Sequence, residues 1–133
     1  MSRAEKATQD ALRRVPPNSA DAEQSVIGAV FVRPAVLDDI AAIVRPHDFY
    51  SPAHQAIFQA MLDLSESGRR CDLVSVGAEL TRKGKLDAVG GPVYLAELST
   101  STISAANGVH HARIIKAMSV RRKLIELGCA LVE

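Results

Sequence analysis

The chain has 133 residues, 47% apolar and 23% charged, with a formal net charge of +1. A mass of 14.2 kDa suits one compact domain, and this composition excludes a disordered chain. No apolar stretch approaches the ~20 residues of a membrane span, and no apolar run precedes Pro16 as a secretory leader requires.

With 4% aromatic residues and no Trp, the core must be built from Ala, Val, Ile and Leu. A chain of this size buries roughly two-thirds of its unfolded surface, so it needs no staple. Cys71 and Cys129 are too few for a disulfide framework or a structural zinc site. A reducing, cytoplasmic setting is the expectation. The small net charge hides a polarity: residues 1–18 carry +2, residues 19–68 carry −5 and residues 69–133 carry +4. That pattern suits opposed docking faces, and it equally describes ordinary solvated helix surface.

Residues 1–15 alternate charge with Ala and run into Pro16-Pro17, which predicts a frayed or mobile arm and an extended entry. Ser19 then caps a first helix, with Asp21 and Glu23 in the turn where the macrodipole favours acids. Ala22, Val26, Ile27 and Val30 recur at helical spacing. Pro34 opens a second helix with Val36, Leu37, Ile40, Ile43 and Val44 inward, and Pro46 ends it. Ser51-Pro52 starts a third, carrying Ala53, Ile57, Ala60, Met61 and Leu64, and Gly68 closes it.

Ser75 is the cap predicted for a fourth, short helix that Gly84 stops. Gly90-Gly91-Pro92 turns the chain into a fifth through Tyr94, Leu95 and Leu98. Ser104 is the cap predicted for the last helix, which runs towards Glu133. Six helices and no strand make the fold all-α: a head of about five helices, then one long helix. The organisation expected is an arm at 1–15, a head at 16–103 and the long helix at 104–133.

In the last helix Ala117, Val120, Leu124, Leu127 and Leu131 follow 0, 3, 7, 10, 14, the seam of a helix that pairs with another. Ile114, Met118, Ile125 and Val132 widen this apolar face. Packing within the chain is the other explanation for the stripe. Gly128 costs about 1 kcal/mol against Ala in a helix, which a closely packed second helix would explain. The periodicity still runs at Glu133, so a continuation is expected.

Nucleotide and hydrolase motifs are missing: no G-x-x-x-x-G-K-[ST], G-x-S-x-G or H-E-x-x-H run occurs. His110 and His111 point about 100° apart on a helix, a poor ligand pair. His54 reads as a packing or locally bonded side chain, and Asp38-Asp39 as a solvated face. The remaining chemistry is a basic cluster, Arg113, Lys116, Arg121, Arg122 and Lys123. It could dock a partner, contact phosphates or simply face solvent. No aromatic interleaves it to stack bases. No constellation supports catalysis.

An ordered series of blocks remains. Pro16-Pro17, Ser19 and Ala22-Glu23-Gln24-Ser25-Val26-Ile27-Gly28 come first, then Asp48-Phe49-Tyr50, His54 and Ile57-Phe58. Leu86-Asp87, Gly90-Gly91, Tyr94-Leu95-Ala96-Glu97-Leu98 and Ser104-Ala105-Ala106-Asn107 follow. From about residue 16 onward the chain resembles the N-terminal domain of bacterial DnaB-family replicative DNA helicases. Within the motif, Gly28 is expected to permit close helix approach, and Phe49, Tyr50, Phe58 and Tyr94 to be core aromatics.

The resemblance implies a non-catalytic helical head followed by a hairpin, of which the last helix is the first arm. It also implies an ATP- and Mg-dependent 5′–3′ helicase motor in the full-length protein, where most DNA contact resides. This domain itself has no cofactor. The partners implied are a second copy of the domain within a hexameric ring and a DnaG-type primase, with a helicase loader as a further candidate. His111, Ala117 and Ile103 depart from residues common in that family, and all three lie at or near the last helix.

Overall fold

The computed structural model describes residues 2–13, 15–102 and 104–132. The expected head boundary at 103 and the expected helix end at Glu133 lie outside the described residues. Among the described residues seven α-helices follow in order: α1 Arg3–Arg13, α2 Ala20–Val32, α3 Leu37–Ala41, α4 Pro52–Glu66, α5 Leu73–Arg82, α6 Gly91–Ser101 and α7 Gly108–Val132. Short 3₁₀ turns at Pro34–Val36 and Pro46–Asp48 link α2 to α3 and α3 to α4. Among the described residues there is no strand, and the fold is all-α as the periodicity predicts.

The caps show which local signals were decisive. The Ser19 hydroxyl accepts from the Ala22 amide at 3.2 Å, and the Ser51 hydroxyl from that of His54 at 3.5 Å. Both serines therefore start helices as expected. Asp72, not Ser75, caps α5: its carboxylate takes the Ser75 amide at 2.7 Å. Gly68 and Gly84 end helices at φ +72° and +69°, a conformation that side chains with a Cβ rarely adopt.

Three further expectations need correcting. The expected frayed arm contains α1, whose Glu5 amide is capped by the Ser2 hydroxyl at 3.1 Å and which lies against α7. The helix expected from Pro34 to Pro46 is a 3₁₀ turn followed by the five-residue α3. Ser104 does not cap α7; its hydroxyl holds a turn through the Ala106 amide at 3.1 Å, and the helix starts at Gly108.

The core gathers Val26, Ile27 and Val30 of α2 with Ile57, Phe58 and Met61 of α4, and with Leu80, Leu95 and Ile115. Phe49 and Phe58 pack ring to ring at 5.0 Å between centroids. Gly28 permits the crossing of α2 and α6, because a Cβ there would lie 2.8 Å from the Leu98 carbonyl oxygen and run into Thr102. Gly108 does the same for α7, since its Cβ would come within 3.2 Å of Ala29 and 3.3 Å of Ile40.

Two buried carboxylates tie the helices together. Glu23 accepts the Tyr50 and Ser51 amides at 2.8 and 3.2 Å and the His54 Nδ1–H at 2.7 Å. On the other ring nitrogen of His54, Nε2 lies 2.6 Å from the Tyr94 hydroxyl, so α2, α4 and α6 share one polar chain. Burial pushes the Glu23 carboxyl up, but the His54 bond and the two amides outweigh it and hold the group below its ordinary range. The second buried carboxylate, Asp48, belongs to the surface that α7 presents.

Candidate interaction surface

Helix α7 is 25 residues long and treats its two ends differently. Gly108, Ala112, Ile115 and Ser119 are buried against the head, on one stripe at three- and four-residue intervals. Beyond Ser119, only Cys129 is buried among the described residues of the helix.

Asp48 fixes the point where the anchoring ends. Its side chain is fully buried and accepts from the Arg45 amide at 2.7 Å, the Ser119 hydroxyl at 2.7 Å and Lys116 Nζ at 3.3 Å. Arg122 completes the junction from one turn further along. Its guanidinium donates to the Asp48 carbonyl at 2.6 Å and the Pro17 carbonyl at 2.8 Å, and lies 5.5 Å from the Tyr50 ring centroid. Burial raises the Asp48 carboxyl, yet the Arg45 amide, Ser119 and the Lys116 charge hold it below the ordinary carboxylate range.

This junction divides the predicted basic cluster. Lys116 and Arg122 turn toward the head, where they bond Asp48 and Pro17. Arg113, Arg121 and Lys123 stay exposed. Tyr50 also departs from expectation: it is 40% exposed, a platform for Arg122 and no core aromatic. Phe49 and Phe58 are buried as expected, and Tyr94 is half-buried.

The predicted seam lies wholly on the surface. Ala117 and Val120 are exposed, Leu124 and Leu127 are each 62% exposed, and Leu131 is 88% exposed. Ile125 and Val132 widen the patch, and nothing lies within 4 Å of where a Cβ on Gly128 would sit. Packing within the described chain therefore does not account for the stripe. The stripe forms an apolar ribbon on the surface of the described chain.

The chemistry elsewhere is structural. No group of three or more His, Cys, Asp and Glu among the described residues is placed to hold a metal ion. His54 is engaged by Glu23 and Tyr94, partners 31 and 40 residues away rather than the local ones expected.

Comparison with known proteins places this architecture. Residues 15–117 match the DnaB-like helicase N-terminal domain family. The chain belongs to that family. It is 45% identical over 120 residues to the replicative DNA helicase DnaB of Geobacillus stearothermophilus, covering 90% of this chain and 26% of that one. It is 43% identical over 119 residues to DnaB of Rhodothermus marinus, covering 90% of this chain and 12% of that one. The chain thus spans about a quarter or less of these relatives.

Among solved structures it is similar to the DnaB N-terminal domain of Mycobacterium tuberculosis. That match has a TM-score of 0.85 at 40% identity, over 89% of this chain and 86% of the other. The DnaB N-terminal domain of Helicobacter pylori, a structure described together with its interactions with primase, shares the fold. Its TM-score is 0.69 at 17% identity, over 98% of this chain and 95% of that one. In this chain the blocks at Pro16-Pro17, Asp48 and Tyr94 build the polar chain and the α7 junction.

Proposed function

We propose that this chain is the non-catalytic assembly and docking domain of a replicative DNA helicase, supporting ring assembly by homotypic pairing and recruiting primase. The observation that carries the reading is the exposed seam from Ala117 to Leu131 on a helix whose other face is anchored. Burying such a ribbon against a second copy removes apolar surface worth roughly 25 cal/mol per Å² from water, set against the entropy of association. Arg113, Arg121 and Lys123, exposed beside the seam, set orientation and partner choice.

Primase enters as a partner because the Helicobacter pylori domain, of the same fold, is described with its interactions with primase. ATP and Mg belong to the motor of the full-length relatives, as does most DNA contact. A helicase loader is a further partner for the same domain, and its place of work is the bacterial cytoplasm. Direct nucleic-acid binding by the basic cluster is the weaker reading, since Lys116 and Arg122 already serve Asp48 and Pro17.

Light-scattering mass against concentration tests the pairing. The mass rises towards that of two copies, and Leu124→Glu moves the midpoint at least about tenfold higher, a 1.4 kcal/mol loss. A chain that stays monomeric throughout, or a variant that associates as well as the parent, contradicts the reading.

A further inference from the structure

Beside the junction an open cleft of about 700 Å³ separates the distal half of α7 from the head. Pro16, Pro17, Phe49 and Tyr50, with His47 and Gln55, line one side, and Ile125, Glu126 and Cys129 of α7 line the other. Closing the two walls would bury apolar surface of Pro16, Phe49, Tyr50 and Ile125, but it would also desolvate Glu126 and His47. The helix stands off the head, and the contact at the edge of the cleft is polar. Arg122, itself a lining residue, spans from α7 to two carbonyls at 2.6 and 2.8 Å on separate segments of the head.

We infer that Arg122, seated on Asp48, is a positioning residue: a latch that holds α7 at a set tilt across the cleft and so aims the pairing face. The inference rests on the pairing function proposed above. The geometry has three parts. Asp48 is made rigid by the Arg45 amide and the Ser119 hydroxyl, each at 2.7 Å, so its backbone carbonyl is a fixed point. Arg122 ties that point and the Pro17 carbonyl to the helix with a planar fork that a lysine cannot reproduce. Past the latch, Cys129 is the only buried described residue on α7, with α1 lying alongside the helix. The apolar core therefore sets the position of the proximal half, and the Arg122 hydrogen bonds and cation–π contact, together with the contact of α1, set the direction of the rest.

The lever is long enough to matter. From Ser119 to Ala130 the helix rises about 16 Å, so a tilt of about 20° moves its end by about 6 Å. A displacement of that size changes which seam residues meet those of a partner helix.

The test is intramolecular. Nitroxide labels are attached at the exposed positions Asp39→Cys and Ala130→Cys, in a chain carrying Cys71→Ala and Cys129→Ala. The distance distribution is then measured at a concentration where the chain is monomeric. Arg122→Met, which keeps the apolar stem and removes the fork, shifts the mean, by about 6 Å for each 20° of tilt, and broadens it. Arg122→Lys, which keeps the charge and can reach one carbonyl, recovers part of the shift. A merely stabilising side chain would lower the melting temperature without moving the labels.

An unshifted distribution in folded Arg122→Met overturns the latch. If that variant does not fold, Ser119→Ala, which frees the Asp48 carboxylate from one bond, decides by the same criterion. The two proposals fail separately. Shifted labels in a chain that never dimerises support the latch and contradict only the pairing. Unshifted labels in a chain that does dimerise contradict only the latch.

Discussion

The two halves of α7 are one continuous helix under different constraints. From Gly108 to Ser119 the helix is part of the core: Ala112 and Ile115 are buried, Gly108 lies against Ala29 and Ile40, and Ser119 is bonded to Asp48. From Val120 to Val132 the residues are just as apolar, yet Leu124, Leu127 and Leu131 stand in solvent. Apolar content alone thus does not tell a buried helix segment from an exposed one. Which side of the helix faces the head decides the matter, and here the Asp48 junction marks the change.

The largest effect that sharpens this contrast is Ile115→Ala. It removes a side chain only 2% exposed and should cost about 2–5 kcal/mol in a chemical unfolding experiment. The matched change in the distal half, Leu127→Ala, should stay within about 0.5 kcal/mol for the monomer, because its 62% exposed side chain makes few contacts to lose. Equal losses at the two positions would break the contrast, and would mean that the distal half is packed in solution.

Next in size is Asp48→Asn, which removes a charge accepting three hydrogen bonds and should cost about 1.5–3 kcal/mol. It also changes the response to acid. Glu23 and Asp48 titrate below their ordinary values of 4.5 and 3.8 in the folded chain. Each therefore contributes stability in full above its ordinary value, and that contribution is lost as pH falls through the lowered one. The thermal midpoint of the parent should fall steeply below about pH 4, and less steeply in Asp48→Asn. Identical acid profiles would remove Asp48 from the account.

The smallest effect separates monomer from assembly. Gly128→Ala should stabilise the monomer by up to about 1 kcal/mol through helix propensity, since nothing lies within 4 Å of the new methyl group. In an associating chain the same methyl group sits at the paired face and should raise the dissociation constant. Light scattering and thermal melting on the same sample read both. A variant that loses monomer stability would contradict the open environment seen at this position.

Much of this was legible in the sequence because it is local. Ser19 and Ser51 start helices by bonding amides three residues on, and Gly68 and Gly84 stop them through a single backbone angle. Ser75 misled because a cap and the residue three positions later are both polar in D-x-x-S, and the side chain that accepts is that of Asp72. The arm before Pro16 was judged from its alternation of charge with Ala and from the proline stop, although a proline stop does not prevent a helix before it.

The seam residues are legible as a stripe because heptad spacing is visible without neighbours, and all of them lie on the surface. The division of the basic cluster was not legible because adjacency in sequence is not adjacency on a helix. Lys116 and Arg122 turn to the head, toward an acid 68 residues from Lys116. Glu23 was assigned to the helix dipole for the same reason, its histidine being 31 residues away. Long-range polar pairs leave no periodic trace, and these make up the part of the site that only the fold shows.

Amide hydrogen exchange along α7 as a function of concentration tests the central claim most directly. The account predicts that residues 120–132 become protected as concentration rises while residues 108–119 stay equally protected throughout. Protection of the distal half that is already high at the lowest concentration, or that never rises, would contradict it.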